Sequence, residues 1–113
     1  MIKSEYRQMR ALVLFDLPCV EKEDISSYNK FLKNLKKLGF YMLQYSVYTK
    51  FMINESEFER IHKKIIQIIP NKGNIIIIKL TEKQYSDMVY ISGEKNRYDS
   101  IVGNNNVVMF GGE

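Results

Sequence analysis

The chain has 113 residues, 45% of them apolar, and its 17 Lys and Arg against 13 Asp and Glu leave a formal charge of +4. That length predicts one domain with a core of its own, and no apolar run approaches the roughly 18 residues of a membrane span. A single cysteine, Cys19, and a single histidine, His62, exclude an internal disulfide framework and a His/Cys zinc site built from one chain.

The stretch Met1 to Arg10 carries charges but no apolar h-region, so a signal peptide is not expected and a reducing cytoplasm is. The basic excess permits nucleic-acid binding without demanding it, so the placement of the cations matters more than their sum.

The first strand is predicted from about Arg10 to Asp16. Ala11-Leu12-Val13-Leu14-Phe15 is apolar on both parities, which reads as a central strand, and Pro18 stops the run just after Asp16. An acidic loop (Glu21, Glu23, Asp24) leads into a helix predicted from about Asp24 to Leu38, with Asp24 as its cap. Ile25, Tyr28, Phe31, Leu32, Leu35 and Leu38 make its apolar stripe, and Gly39 sits where a left-handed C-terminal residue belongs. Lys30, Lys33 and Lys37 share the opposite face. They are either a solvated surface or a phosphate-binding one.

Phe40 to Ile53 is rich in aromatic and β-branched residues, but one straight strand of that length would span about 45 Å. A break near Tyr45-Ser46 is therefore expected, giving two strands. Asn54 and Glu57 have capping-box spacing and open a second helix, predicted to run to Ile69 with Phe58, Ile61, Ile65, Ile68 and Ile69 inward, and ended by Pro70. Ile75 to Ile78, extended by Leu80, reads as a second central strand. Thr81 and Gln84 repeat the capping-box spacing and start a short helical turn. Met88–Ile91 and Val107–Phe110 read as short strands, separated by a polar loop, Glu94 to Asn106.

This order predicts an α+β, ferredoxin-like domain (β-α-β-β-α-β) over residues 1–113. Its core covers about 9–92, and a C-terminal extension over about 93–113 carries one or two short strands. Both helices fall on one sheet face. The apolar residues on the other face call for a cover, and a second copy of the chain is the economical one, with the late strands adding to a neighbour's sheet edge.

Asp16, at the end of a buried strand, either caps the following turn or ligates a cation. One carboxylate per chain is a poor magnesium site, and two copies of Asp16 across a two-fold axis would supply a pair. Ser46 either places a hydroxyl near that acid or satisfies the strand break. His62 and most of the eight tyrosines read as structural. Phosphate contacts are expected from Arg7, Arg10, Lys30, Lys33, Lys37 and Lys50, with Lys72 and Arg97 as loop candidates.

Five segments spread along the chain resemble one family in their order and spacing. They are Phe15-Asp16-Leu17-Pro18, Gly39-Phe40 with Gln44-Tyr45-Ser46-Val47-Tyr48, Lys72-Gly73-Asn74, Thr81-Glu82-Lys83-Gln84 and Gly93-Glu94-Lys95-Asn96. The sequence resembles the CRISPR-associated protein two family, small spacer-acquisition proteins, and is nearest the subgroup accompanying type II systems. The resemblance implies a ferredoxin-like homodimer that holds duplex DNA and partners the larger acquisition protein, an integrase, in antiviral defence. It also implies that Asp16 is the metal-site residue, with Mg²⁺ shared across the dimer axis and Phe15, Ser46 and Tyr48 as neighbours. Some members of the family are described as metal-dependent endonucleases on single-stranded RNA or duplex DNA, with the aspartate as the catalytic residue. The chain departs from the family at Met42, where many members carry arginine, and at Glu21, Glu23 and Asp24, where many carry arginines. A small regulator or toxin-like ribonuclease with the same fold is the third reading, since this fold hosts many functions.

Overall fold

The computed structural model describes residues 8–93. Its elements run β1 (Met9–Asp16), α1 (Lys22–Lys37), β2 (Tyr41–Gln44), β3 (Val47–Met52), α2 (Glu55–Ile66), β4 (Asn74–Thr81) and α3 (Glu82–Ser86). The four strands form one sheet in the order β2-β3-β1-β4, with every neighbouring pair antiparallel. β1 and β2 are joined through α1 with β3 between them, and β3 and β4 through α2 with β1 between them. This doubled split β-α-β is the predicted ferredoxin-like arrangement.

Side chains alternate across a strand, so Met9, Ala11, Val13 and Phe15 of β1 share one sheet face. They pack in one buried cluster with Phe31 and Leu35 of α1 and with Phe58, Ile61 and Ile65 of α2. Both helices therefore cover the same side of the sheet. The even residues of β1 and their cross-strand partners, Ile76 opposite Leu14 and Ile78 opposite Leu12, lie on the other side.

α1 begins two residues before the predicted start, and Ile25 is exposed rather than inward. Glu21 caps the helix. Asp24 is its third residue and accepts the Glu21 backbone N–H at 3.2 Å. At the other end Gly39 adopts φ +102°, and Phe40 N–H donates to the Leu35 carbonyl at 3.1 Å, which closes a Schellman cap. The predicted break falls at Tyr45-Ser46, where the chain turns between the paired residues Gln44 and Val47.

α2 starts at the predicted Asn54 cap, whose side chain accepts the Glu57 N–H at 2.9 Å. It ends at Ile66 rather than Ile69, because Gln67 and Ile68 donate to carbonyls three residues back and tighten the last turn. Ile69 is exposed as a result. At α3 the Thr81–Gln84 capping box closes in both directions, at 3.1 and 2.9 Å.

One expectation is overturned. β4 is not central: it is the sheet's edge, half-buried at Ile75 and Ile77 under the helices and exposed at Ile76 and Ile78. Met88–Ile91 joins no ladder with the described strands of its own chain; the neighbour expected for it is the sheet edge of a second copy. Arg7, Arg97, the loop from Glu94 and the predicted strand Val107–Phe110 lie outside the described residues.

Candidate nucleic-acid interface

Three connections meet at the C-terminal end of β1. Asp16 pairs in register with Asn74, the first residue of β4. The turn before it presses on the end of β1 so closely that a Cβ at Gly73 (φ +98°) would lie 2.8 Å from the Asp16 carbonyl oxygen and 2.5 Å from Leu17 Cδ2. The β2–β3 turn arrives from the other side, where the Ser46 carbonyl accepts the Phe15 N–H at 3.1 Å. Asp16 is thereby held, exposed, on the sheet face that the helices leave uncovered.

The Ser46 backbone is brought to the residue before this acid, and Phe15 and Tyr48 are not the acid's neighbours on the surface. Their side chains are buried on the opposite face of the sheet, with ring centroids 5.8 Å apart, and Phe15 meets Phe31 edge-on at 5.3 Å. Their task is the packing that fixes the strand end. Among the described residues no three His, Cys, Asp or Glu side chains gather to hold a metal ion. Magnesium usually keeps several waters and is held by one or two carboxylates, of which one chain brings Asp16 to this strand end. His62 packs against Phe58, ring centroids 6.0 Å apart, in the structural role expected of it.

The predicted phosphate-binding cations divide into two groups. Lys30, Lys33 and Lys37 are exposed on the outer face of α1, opposite the buried Phe31 and Leu35, and form no ion pair among the described residues. Lys50 belongs to the helix side of the sheet. It is mostly buried, 3.8 Å from Glu57, with its amine against Gly39 at the end of α1. Lys72 stands 3.5 Å from the buried Asp24 and ties the α2–β4 turn to the start of α1.

Arg10 corrects the sequence reading most sharply, because its residue is only 3% exposed. Its Nε donates to Glu82 Oε1 at 3.2 Å, its Nη1 donates to the Tyr41 hydroxyl at 2.8 Å, and its guanidinium lies over the Tyr85 ring at 4.2 Å. Burial opposes the charge, and the hydrogen bonds the guanidinium donates to Tyr41 and Glu82 more than offset it, so the group is held above its usual range. This arginine fastens α3 to the sheet instead of facing solvent.

The family model described as CRISPR associated protein Cas2 matches residues 9–88. The chain belongs to the Cas2 family. It is 44% identical over 87 residues to the CRISPR-associated endoribonuclease Cas2 of Ligilactobacillus salivarius, covering 77% of this chain and 86% of the relative. It is 37% identical over 105 residues to the protein of that name from Streptococcus mutans serotype c, covering 93% of this chain and 94% of the relative. A solved structure described as "Crystal structure of cas2" superposes with a TM-score of 0.57 at 16% identity, over 80% of this chain and 92% of that one, which supports the fold.

The family resemblance drawn from the five segments therefore holds for this Cas2 family member. The sequence reading passed over a second row of cations. Arg60, Lys63 and Lys64 are exposed on α2, opposite the buried Phe58, Ile61 and Ile65, and on the same side of the sheet as the lysines of α1. Their signal was present as basic residues three and four apart from the middle of the helix to its last turn, where Lys63 and Lys64 also complement its dipole. No helix among the described residues is long and apolar enough to cross a membrane.

Proposed function

We propose that the chain is a CRISPR adaptation protein of the cytoplasm. It is a single domain over residues 1–113, two copies of which form a homodimer that binds duplex DNA and bridges the integrase partner during acquisition of new spacers. The observation that carries this reading is the row Lys30, Lys33 and Lys37, exposed and without an ion pair among the described residues. Cations that meet no acid among the described residues suit phosphate oxygens, and such contacts are salt-dependent and indifferent to sequence. Lys63 and Lys64 extend the surface, and Arg60 beside them is paired with Glu57 at 3.6 Å. The dimer is supported by Ile76 and Ile78, 58% and 37% exposed on the face the helices leave bare.

A second reading, a metal-dependent endonuclease on single-stranded RNA or duplex DNA, is favoured by the position of Asp16 on that same bare face. Copies meeting there would offer two carboxylates to Mg²⁺ where one chain offers one. The relatives' name, endoribonuclease, is in keeping with it.

The test compares wild type, the triple variant Lys30→Glu/Lys33→Glu/Lys37→Glu, and Asp16→Ala. Each is titrated against labelled duplex DNA and single-stranded RNA at several salt concentrations, with magnesium or chelator. The triple variant is expected to lose about tenfold or more in duplex affinity at low salt and to show a shallower salt slope, while remaining a dimer on gel filtration. Unchanged affinity removes α1 from the binding surface. Cleavage that disappears with chelator and in Asp16→Ala supports the second reading, and cleavage that persists in Asp16→Ala refutes it.

A further inference from the structure

We infer that the cavity at the start of α1 receives an arginine side chain of a partner protein, so that this end of the domain is a protein-docking point separate from the lysine face. The inference goes beyond the nucleic-acid reading above and does not rest on it.

The cavity holds about 140 Å³ and lies where the β1–α1 loop, the first turns of α1 and the α2–β4 turn meet. Its apolar walls are Leu17, Pro18, Tyr28 and Pro70. Leu17 and Tyr28 also pack against the core, and the Tyr28 ring centroid lies 6.2 Å from that of Phe15. Those walls are in place before anything binds, which keeps the cost of ordering low. A cavity of about 150 Å³ admits a benzene ring, and a guanidinium with the end of its stem is of similar size.

The polar lining selects the charge. Glu23 and Asp24 bring two carboxylates to the cavity, with Ser27 and Asn71 beside them. Asp24 is a buried acid, 8% exposed. Its Oδ2 accepts the Glu21 N–H at 3.2 Å. The cation its Oδ1 meets is Lys72, 3.5 Å away with 70% of its side chain in solvent. A buried carboxylate is stable when closely paired, and a solvated lysine at that distance pairs it loosely. Glu23 is exposed and meets no cation among the described residues. Two carboxylates so weakly compensated repel a phosphate and attract a cation. Arginine suits the cavity better than lysine. Its planar fork bonds carboxylate oxygens in pairs, it is more weakly hydrated, and its flat face stacks on an aromatic wall such as Tyr28. The incoming guanidinium displaces Lys72 from Asp24. The cavity takes only the end of one side chain, and Val20, 85% exposed in the same β1–α1 loop, offers apolar surface to the rest of a protein partner.

The test adds Nα-acetyl-arginine N-methylamide, which presents arginine as it stands within a peptide, to the isotope-labelled full chain at constant ionic strength, and follows the amide resonances. Saturable shifts centred on Ser27, Tyr28, Asn71 and Lys72 are expected, with half-saturation at about 0.5–20 mM. The matching citrulline derivative has the same stem without the charge and is expected to bind at least about tenfold more weakly. Glu23→Gln is expected to weaken binding of the arginine derivative about two- to fivefold, and Lys72→Ala, which removes the competing cation, to strengthen it by a similar factor. Shifts that are absent or not centred on the cavity, equal binding of the citrulline derivative, or a Lys72→Ala chain that binds no more tightly than wild type overturns the inference. Free arginine that binds more tightly than the blocked derivative assigns the cavity to a small metabolite and overturns the partner-protein assignment.

Discussion

Arg10→Met separates a structural arginine from a phosphate-binding one. Methionine keeps an unbranched stem against Tyr85 and Phe51 but removes the charged bonds to Glu82 (3.2 Å) and Tyr41 (2.8 Å). Hydrogen bonds that involve a charged group contribute roughly 1.5–3 kcal/mol each. The loss is reduced because Glu82 keeps 33% of its side chain in solvent and rehydrates once its partner is gone. A sulfur–aromatic contact with Tyr85 returns part of the lost cation–π energy. The net destabilisation is expected at about 2–4 kcal/mol, and for a domain near this size that lowers the thermal midpoint by roughly 10–20 °C. Glu82→Gln, which alters only the partly exposed partner, is expected to lose about 1 kcal/mol or less. Urea titration followed by circular dichroism gives the stabilities. Duplex affinity is then measured at low salt, at a temperature where both variants are folded. Affinity within twofold of wild type is expected. A stability loss under about 0.5 kcal/mol together with a tenfold drop in affinity would refute the reasoning and return Arg10 to the binding surface.

Gly73→Ala puts a methyl group within 2.8 Å of the Asp16 carbonyl at a φ of +98°, and backbone cannot give way as a side-chain tip can. A loss of about 2–3 kcal/mol is expected in chemical denaturation, and a loss under about 0.5 kcal/mol would show that the turn does not bear on the strand end. The tyrosines set a pH limit. Burial, then the hydrogen bond with Tyr45, pushes Tyr28 from 10.0 up to about 12, and burial moves Tyr48 the same way. The raised values favour the neutral form in the folded chain, so this stabilisation is complete below pH 10 and is lost as pH rises toward 12. Thermal midpoints measured across that range are expected to fall less steeply in Tyr28→Phe than in wild type, and parallel slopes would count against the half-buried Tyr28 as their source.

Helix periodicity and caps were legible because they are local. The stripe through Phe31 and Leu35, the Gly39 terminus, the Asn54 cap and the Thr81–Gln84 box depend on residues three or four positions apart, and the structure contains each of them. The break at Tyr45-Ser46 was legible from chain length alone, since a strand through Phe40–Ile53 would outrun the sheet. The exposed lysines of α1 follow from the same periodicity, as the face left over when the apolar stripe is buried.

Facts that depend on which strand lies beside which were not legible. An isoleucine run has the same sequence whether its second face is covered or bare, so β4 read as central although it is the edge. Met88–Ile91 has strand composition, but pairing is a property of two segments, and it forms no ladder with the described strands even though Leu43 and Gln44 of β2 line a cavity with it. Arg10 read as a surface cation because a charge near a strand end is usually solvated. Only the tertiary fold carries Tyr41, Glu82 and Tyr85 to it, from 31, 72 and 75 positions away along the chain. The sequence by itself determined the order of elements, the helix termini and the acid at the end of β1, because those rest on contacts within a few residues. The tertiary structure decided which sheet face stays bare, which cations reach solvent and what stands beside Asp16, because burial and partnership are set by residues distant in the chain and adjacent only once it folds.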